Sequence, residues 1–171
     1  KIGLYFRQKD TNLGCSVLIC EMENNMPDQS RILGQAHLPS SSITTSRGPS
    51  LGEALVETVF TLDFPVYLLS NKDYAFIVVP DGNSPNYSFW VSETGNFDVT
   101  TDIQAFSNPY SGMLFISANR KTWTAIQKED ITFKTLVDNP KTYKNDCACD
   151  YLTNEKNYNI NNMYPINCRE L

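Results

Sequence analysis

Leu55-Val56-Glu57-Thr58-Val59-Phe60-Thr61-Leu62-Asp63-Phe64 is the stretch on which the fold turns. Val56, Thr58, Phe60, Leu62 and Phe64 fall on one side of an extended chain, and Leu55, Glu57, Val59, Thr61 and Asp63 on the other. Successive side chains of a strand point to opposite faces, so this period of two predicts a strand whose drier face lies on a core. A helix would need apolar residues three and four apart. Only residues 50–57 (SLGEALVE) offer even one short turn of that kind.

The same alternation recurs on both sides of this stretch. Residues 74–79 (YAFIVV) are apolar on both faces and predict a central strand. Residues 15–21, 112–117 and 131–137 are further strong strand candidates, and 86–92, 103–107 and 32–38 weaker ones. Turn chemistry separates them. Pro80-Asp81-Gly82-Asn83 closes one strand, Asn24-Asn25-Met26-Pro27-Asp28 another, and Thr94-Gly95-Asn96 follows the Trp90 strand. Residues 39–50 form a longer polar connection of the kind that crosses between sheets. Eight or nine short strands at this spacing predict an all-β fold, an antiparallel β-sandwich with jelly-roll-like character.

From Asp138 the periodicity fades and Asn, Lys and Tyr dominate. The expected organisation is a sandwich over residues 1–137 followed by an extended arm or linker over 138–171. Tyr143, Tyr151, Tyr158 and Tyr164 give that arm contact potential and make it a candidate interface.

Composition narrows the function. The 171 residues carry 14 basic and 19 acidic side chains, a net charge of −5. A nucleic-acid binder needs a basic face to displace counterions from phosphates, so that class is not expected. No apolar run approaches the roughly 18–20 residues of a membrane-spanning helix. The sequence begins at Lys1 without Met, already inside an alternating segment (Ile2, Leu4, Phe6), which suggests a piece of something longer.

Chemistry-bearing residues are sparse. Cys15 and Cys20 lie five apart, so one strand directs them to opposite faces and they cannot bridge. Cys147, Cys149 and Cys168 do not complete a four-ligand zinc pattern with the lone His37, and no metal or other cofactor is expected. Reduced, buried thiols are the simpler reading. His37 would have to be the base of any Ser-His-Asp or Cys-His site, and it lacks a nucleophile elbow, so it reads as a surface or satisfied edge histidine. Glu53 with Glu57, Asp98 with Asp102, and Glu129 with Asp130 are the carboxylate pairs open to acid–base chemistry. None has a specific motif, and no catalytic residue is assigned. The sequon Asn86-Tyr87-Ser88 carries little weight, because 17 Asn and 28 Ser or Thr produce roughly three such triplets by chance.

The aromatics are more informative. Tyr87, Phe89 and Val91 share one face of the 86–92 strand, and Trp90 shares the other with Ser88 and Ser92. Trp90 therefore stands on the face that looks wet. There it either stacks on a sugar ring or anchors a protein contact, with Tyr87 or Tyr110 nearby, or is covered by a neighbouring loop. Trp123 is expected to pack across the end of the sandwich.

From Thr58 to Phe133 the motif order becomes distinctive. Thr58–Leu68 (TVFTLDFPVYL) is followed by Asp73–Val79 (DYAFIVV), Asn86–Ser92 (NYSFWVS), Gly112–Asn119 (GMLFISAN), Thr122-Trp123-Thr124 and Glu129–Phe133 (EDITF). This order resembles a β-sandwich module of large virion structural proteins, the baseplate and tail components of contractile-tailed, T4-like and marine bacteriophages. It is also more distantly similar to carbohydrate-binding modules. With the opening segment, the likeness spans about residues 1–137. It implies a non-enzymatic role in a virion tail or baseplate assembled in the host cytoplasm, with other virion subunits as partners in an oligomeric assembly. A module recognising a host-surface glycan is the alternative it implies.

Overall fold

A computed structural model describes residues 1–47, 54–97, 104 and 112–136, and these residues are all-β. Twelve strands are formed among them. They are β1 (Ile2–Leu4), β2 (Phe6–Gln8), β3 (Cys15–Glu23), β4 (Met26–Leu38), β5 (Thr58–Phe60) and β6 (Tyr74–Pro80). Then come β7 (Ser88–Phe89), β8 (Val91–Glu93), β9 (Leu114–Ile116), β10 (Thr124–Ile126), β11 (Glu129–Ile131) and β12 (Phe133–Thr135). All pair antiparallel, in the orders β12-β1-β5 and β4-β3-β6, with two-stranded ladders β2-β7, β8-β11 and β9-β10. No helix among the described residues is long and apolar enough to cross a membrane.

The two three-stranded sheets face each other. Ile2, Leu4 and Phe60 from one meet Val17, Ile19 and Ala36 from the other, and the Phe76 and Phe133 rings lie 5.0 Å apart across the gap. Phe6 fills the centre, with ring centroids 4.7 Å from Phe89, 5.9 Å from Tyr87 and 6.2 Å from Phe60. Burial of such rings is the largest single source of stabilisation in a core this size, at about 1.5–3 kcal/mol each.

The β3–β4 hairpin turns on Asn24 and Asn25, both left-handed at φ 52° and 61°. A two-residue turn with both φ positive matches the twist of the flanking strands, and Asn tolerates that region better than most residues. Further along, Cys20 pairs with Ile32 while Glu21 pairs with Asp28, so residues 29–31 bulge out of β4.

Three strands exchange partners around one junction. Residues 2–4 pair with 133–135, residues 6–8 with 88–89, and residues 91–93 with 129–131. Tyr5, Trp90 and Thr132 are the changeover residues. The Trp90 N–H donates to the Tyr5 carbonyl at 3.0 Å, and the Thr132 N–H donates to the Trp90 carbonyl at 3.0 Å. These N–H and carbonyl groups thus keep partners where their ladders end, as buried amides require.

Three expectations need correction. The decisive stretch is a strand only over Thr58–Phe60, where Thr58 and Phe60 are buried and Val59 exposed as the alternation requires. Beyond it the chain leaves the sheet, and Phe64 is exposed. Residues 54–57 are not helical. Among the described residues β6 lies at the edge of its sheet, with β3 central. On its outer face Ile77 is buried and Val79 is partly buried, lining an open cleft with Ser16, Leu18 and Arg120. Of the 103–107 candidate only Gln104 is described, bridging Phe97. The 138–171 arm lies outside the described residues.

Candidate functional site

Two of the three aromatics expected at a binding surface, Trp90 and Tyr87, are interior. Trp90 is 4% exposed and its indole N–H donates to the Ser46 carbonyl at 3.1 Å. Tyr87 is 3% exposed, donates its hydroxyl to the Leu13 carbonyl at 2.5 Å, and meets Phe6 edge-on. Burial pushes its phenol pKa up to about 12. Neither ring has a face left for a sugar. The alternation of 86–92 misleads because the strand changes partner at Trp90, and the 44–46 segment closes over its other side. Tyr110, Tyr143, Tyr151, Tyr158 and Tyr164 lie outside the described residues. Trp123 is half-buried.

Asp10 is the most heavily bonded carboxylate. Its Oδ1 accepts the N–H groups of Asn12 and Leu13 at 2.9 and 3.1 Å. Its Oδ2 accepts the Ser84 hydroxyl at 2.6 Å and the Asn86 amide at 2.9 Å. The Ser40 hydroxyl donates to its backbone carbonyl. The Ser84 hydroxyl above all, then the two backbone donors and Asn86, hold the carboxyl well below the usual aspartate range. A carboxylate so fully satisfied is a clamp between the 10–13 turn and the 84–86 loop. It also occupies the Asn86 amide, so the sequon is built into the fold.

His37 Nε2 stands 2.9 Å from Asp81 Oδ2, which joins the end of β4 to the turn after β6. Gly14 sits beneath this contact. A Cβ there would fall 2.5 Å from the Leu38 carbonyl and 2.8 Å from the imidazole, so only glycine fits. Ser16 is opposite His37 in register, and Ser16, Leu18, Asp81, Asn83 and Arg120 line a shallow cleft of about 330 Å³. His37 is half exposed and satisfied by Asp81, as a surface edge histidine.

The other carboxylate candidates separate. Glu129 and Asp130 are successive residues of β11 and alternate faces. Glu57 lies over Gly3 with Lys134 Nζ 3.9 Å away. Glu53, Asp98 and Asp102 are outside the described residues, as are Cys147, Cys149 and Cys168. Cys15 and Cys20 are free and buried.

The surface feature that composition did not point to is an apolar ribbon after β5. Pro65 cannot donate to a ladder, and the chain here passes beside β4 without joining it. Its attachments are specific. The Asp63 N–H donates to the Gln35 carbonyl at 3.0 Å, and Val66 packs where Gly34 has no side chain, only 2.4 Å from where a Cβ would be. Leu62 and Val66 turn toward the core. At the far end the Leu69 N–H donates to Tyr74 Oη at 3.0 Å, and Lys72 reaches Glu21 at 2.5 Å. Lys72 and Arg31 together hold the Glu21 carboxyl below its ordinary pKa.

With Leu62 and Val66 inward, the remaining apolar side chains face water. Phe64 is 79% exposed, Tyr67 72% and Leu69 53%, with Leu68 also exposed. Ile32 and Leu33, next to Gly34 on β4, add two more exposed apolar groups. Six large apolar side chains are thus exposed along residues 64–69 and the neighbouring part of β4, and exposed apolar surface of this kind is what interaction sites are built from. The sequence signal was there in Phe64-Pro65-Val66-Tyr67-Leu68-Leu69, an apolar run interrupted by a proline that no central strand accommodates.

No protein-family model, curated protein or solved structure matches the chain.

Proposed function

We propose that this chain is a non-enzymatic structural module of a virion, part of a larger phage baseplate or tail protein, that works through contacts with other virion subunits. The observation that carries this reading is the ribbon from Phe64 to Leu69. It is apolar, exposed, and tied down at Asp63 and at Leu69 to Lys72. A surface held in place before a partner arrives loses little conformational entropy on binding. Phe64 and Tyr67 alone offer on the order of 300 Å² of aromatic surface, a large part of the roughly 800 Å² that each partner contributes to a standard interface. The resemblance of the motif order to baseplate and tail modules supports the same reading. For the glycan-binding alternative, Trp90 and Tyr87 are buried and offer no stacking face, and Tyr110 lies outside the described residues.

Sedimentation velocity on the full chain tests this directly. The expected result is a concentration-dependent oligomer that the double substitution Phe64→Asp and Leu69→Asp returns to monomer. A chain that is monomeric at every concentration, and missing from purified particles by mass spectrometry, overturns the assignment.

A further inference from the structure

The exposed ribbon and the exit of the chain lie on the same end of one sheet. Ile2 pairs with Phe60 on one side and with Thr135 on the other, both antiparallel. Thr61 and Leu136 therefore flank Lys1, and the Leu136 N–H donates to the Lys1 carbonyl at 2.9 Å. Two strand spacings separate them, about 10 Å. Phe64 follows Thr61 by three residues. Leu136, the last described residue, thus lies beside the start of the ribbon.

The composition of the residues that follow suits that surface. Residues 151–166 (YLTNEKNYNINNMYPI) contain Tyr151, Leu152, Tyr158, Ile160, Met163, Tyr164 and Ile166, with one acidic and one basic residue between them. The stretch from Leu136 to Tyr151 spans up to about 50 Å when extended, so reach is no obstacle. Tyrosine and methionine are the side chains that interface cores favour. The ribbon itself presents aromatic and aliphatic groups without a charge between Phe64 and Leu69.

From this placement we infer that the occupant of the ribbon is residues 151–166 of this same polypeptide, supplied within one molecule or exchanged between neighbouring copies. The inference names the partner of the surface on which the assembly reading rests. Tyr158 and Tyr164 are the anchors, and Phe64, Tyr67, Leu68 and Leu69 receive them.

The test uses the full chain with a photoreactive benzophenone amino acid in place of Phe64, an exposed position whose change leaves the core intact. After irradiation, digestion and mass spectrometry, cross-links to residues 151–166 are expected to dominate. Replacing Tyr158→Ser and Tyr164→Ser removes both anchors and should lower their yield about a hundredfold, at roughly 1.4 kcal/mol or a factor of ten for each. Cross-links to any other region of a second copy, an unchanged yield in the double variant, or no cross-link at all each overturn the inference. The mass of the product separates this result from the fate of the assembly reading. A two-chain product upholds both. A single-chain product upholds the occupant and removes the ribbon as an inter-subunit contact.

Discussion

Trp90 provides the sharpest measure of the fold, because its surroundings decide both stability and function. The side chain is 4% exposed, and its indole N–H is bonded to the Ser46 carbonyl at 3.1 Å. Truncation to alanine removes the whole ring from a packed site, which costs about 3–5 kcal/mol. Trp90→Phe retains most of the apolar contact but leaves the Ser46 carbonyl without its donor, a loss of about 1–3 kcal/mol. Urea unfolding followed by fluorescence reads both, with half-buried Trp123 as the remaining reporter. At a denaturant slope of about 2 kcal/mol per molar, the midpoint should fall by roughly 2 M for Trp90→Ala and by about 1 M for Trp90→Phe. If Trp90→Ala does not fold, the phenylalanine variant still carries the graded result. A solvent-facing tryptophan would change stability by no more than about 0.5 kcal/mol. A Trp90→Ala midpoint within about 0.3 M of the parent therefore refutes the buried placement and the junction built on it.

Two further outcomes follow from the titratable groups. Asp10 has its pKa lowered on folding, so its ionised form stabilises the fold at pH values above the ordinary 3.8, and that contribution is lost as pH falls toward the depressed folded value. Asp10→Asn should flatten the decline of stability with acid below about pH 5, and an acid-unfolding profile that keeps the parent's slope counts against the clamp. Burial pushes the Cys15 thiol up to about 12 and raises Cys20 as well, leaving both as thiols at neutral pH. Because the thiolate is the nucleophile, an alkylating reagent at pH 8 should spare both residues in the folded chain and label them in urea. Rapid labelling of either one without denaturant contradicts the core as described.

Much of the sheet is legible in local patterns. The alternation in 15–21 and around Phe60, and the positive-φ turn at Asn24-Asn25, each follow from short-range sterics that a few consecutive residues settle. The long β4 is harder to read, because its residues 29–31 bulge to accommodate a shift against β3 that only the partner strand specifies. β6 is misjudged as central for a related reason. Apolar residues on both faces report that both faces are partly buried, and leave open how many sheet neighbours the strand has.

The candidate surface shows the same division. An apolar run with a proline at its second position announces that residues 64–69 are not an ordinary core strand. Their exposure depends on Gly34 admitting Val66 and on Gln35 accepting from Asp63, contacts made about 30 residues away.

By itself the sequence determined an antiparallel all-β chain, its main strands, its turns, and two cysteines that cannot bridge each other. Tertiary structure alone decided that Trp90 and Tyr87 are interior, that β6 is an edge among the described residues, and that the chain after β5 offers an apolar ribbon to solvent. The physical reason is one of range. Periodicity and turn chemistry act over two to four residues, whereas the indole of Trp90 is covered by Ser46, 44 positions earlier. An alternating strand declares that it has two faces, and only the packing of distant segments determines which face remains wet.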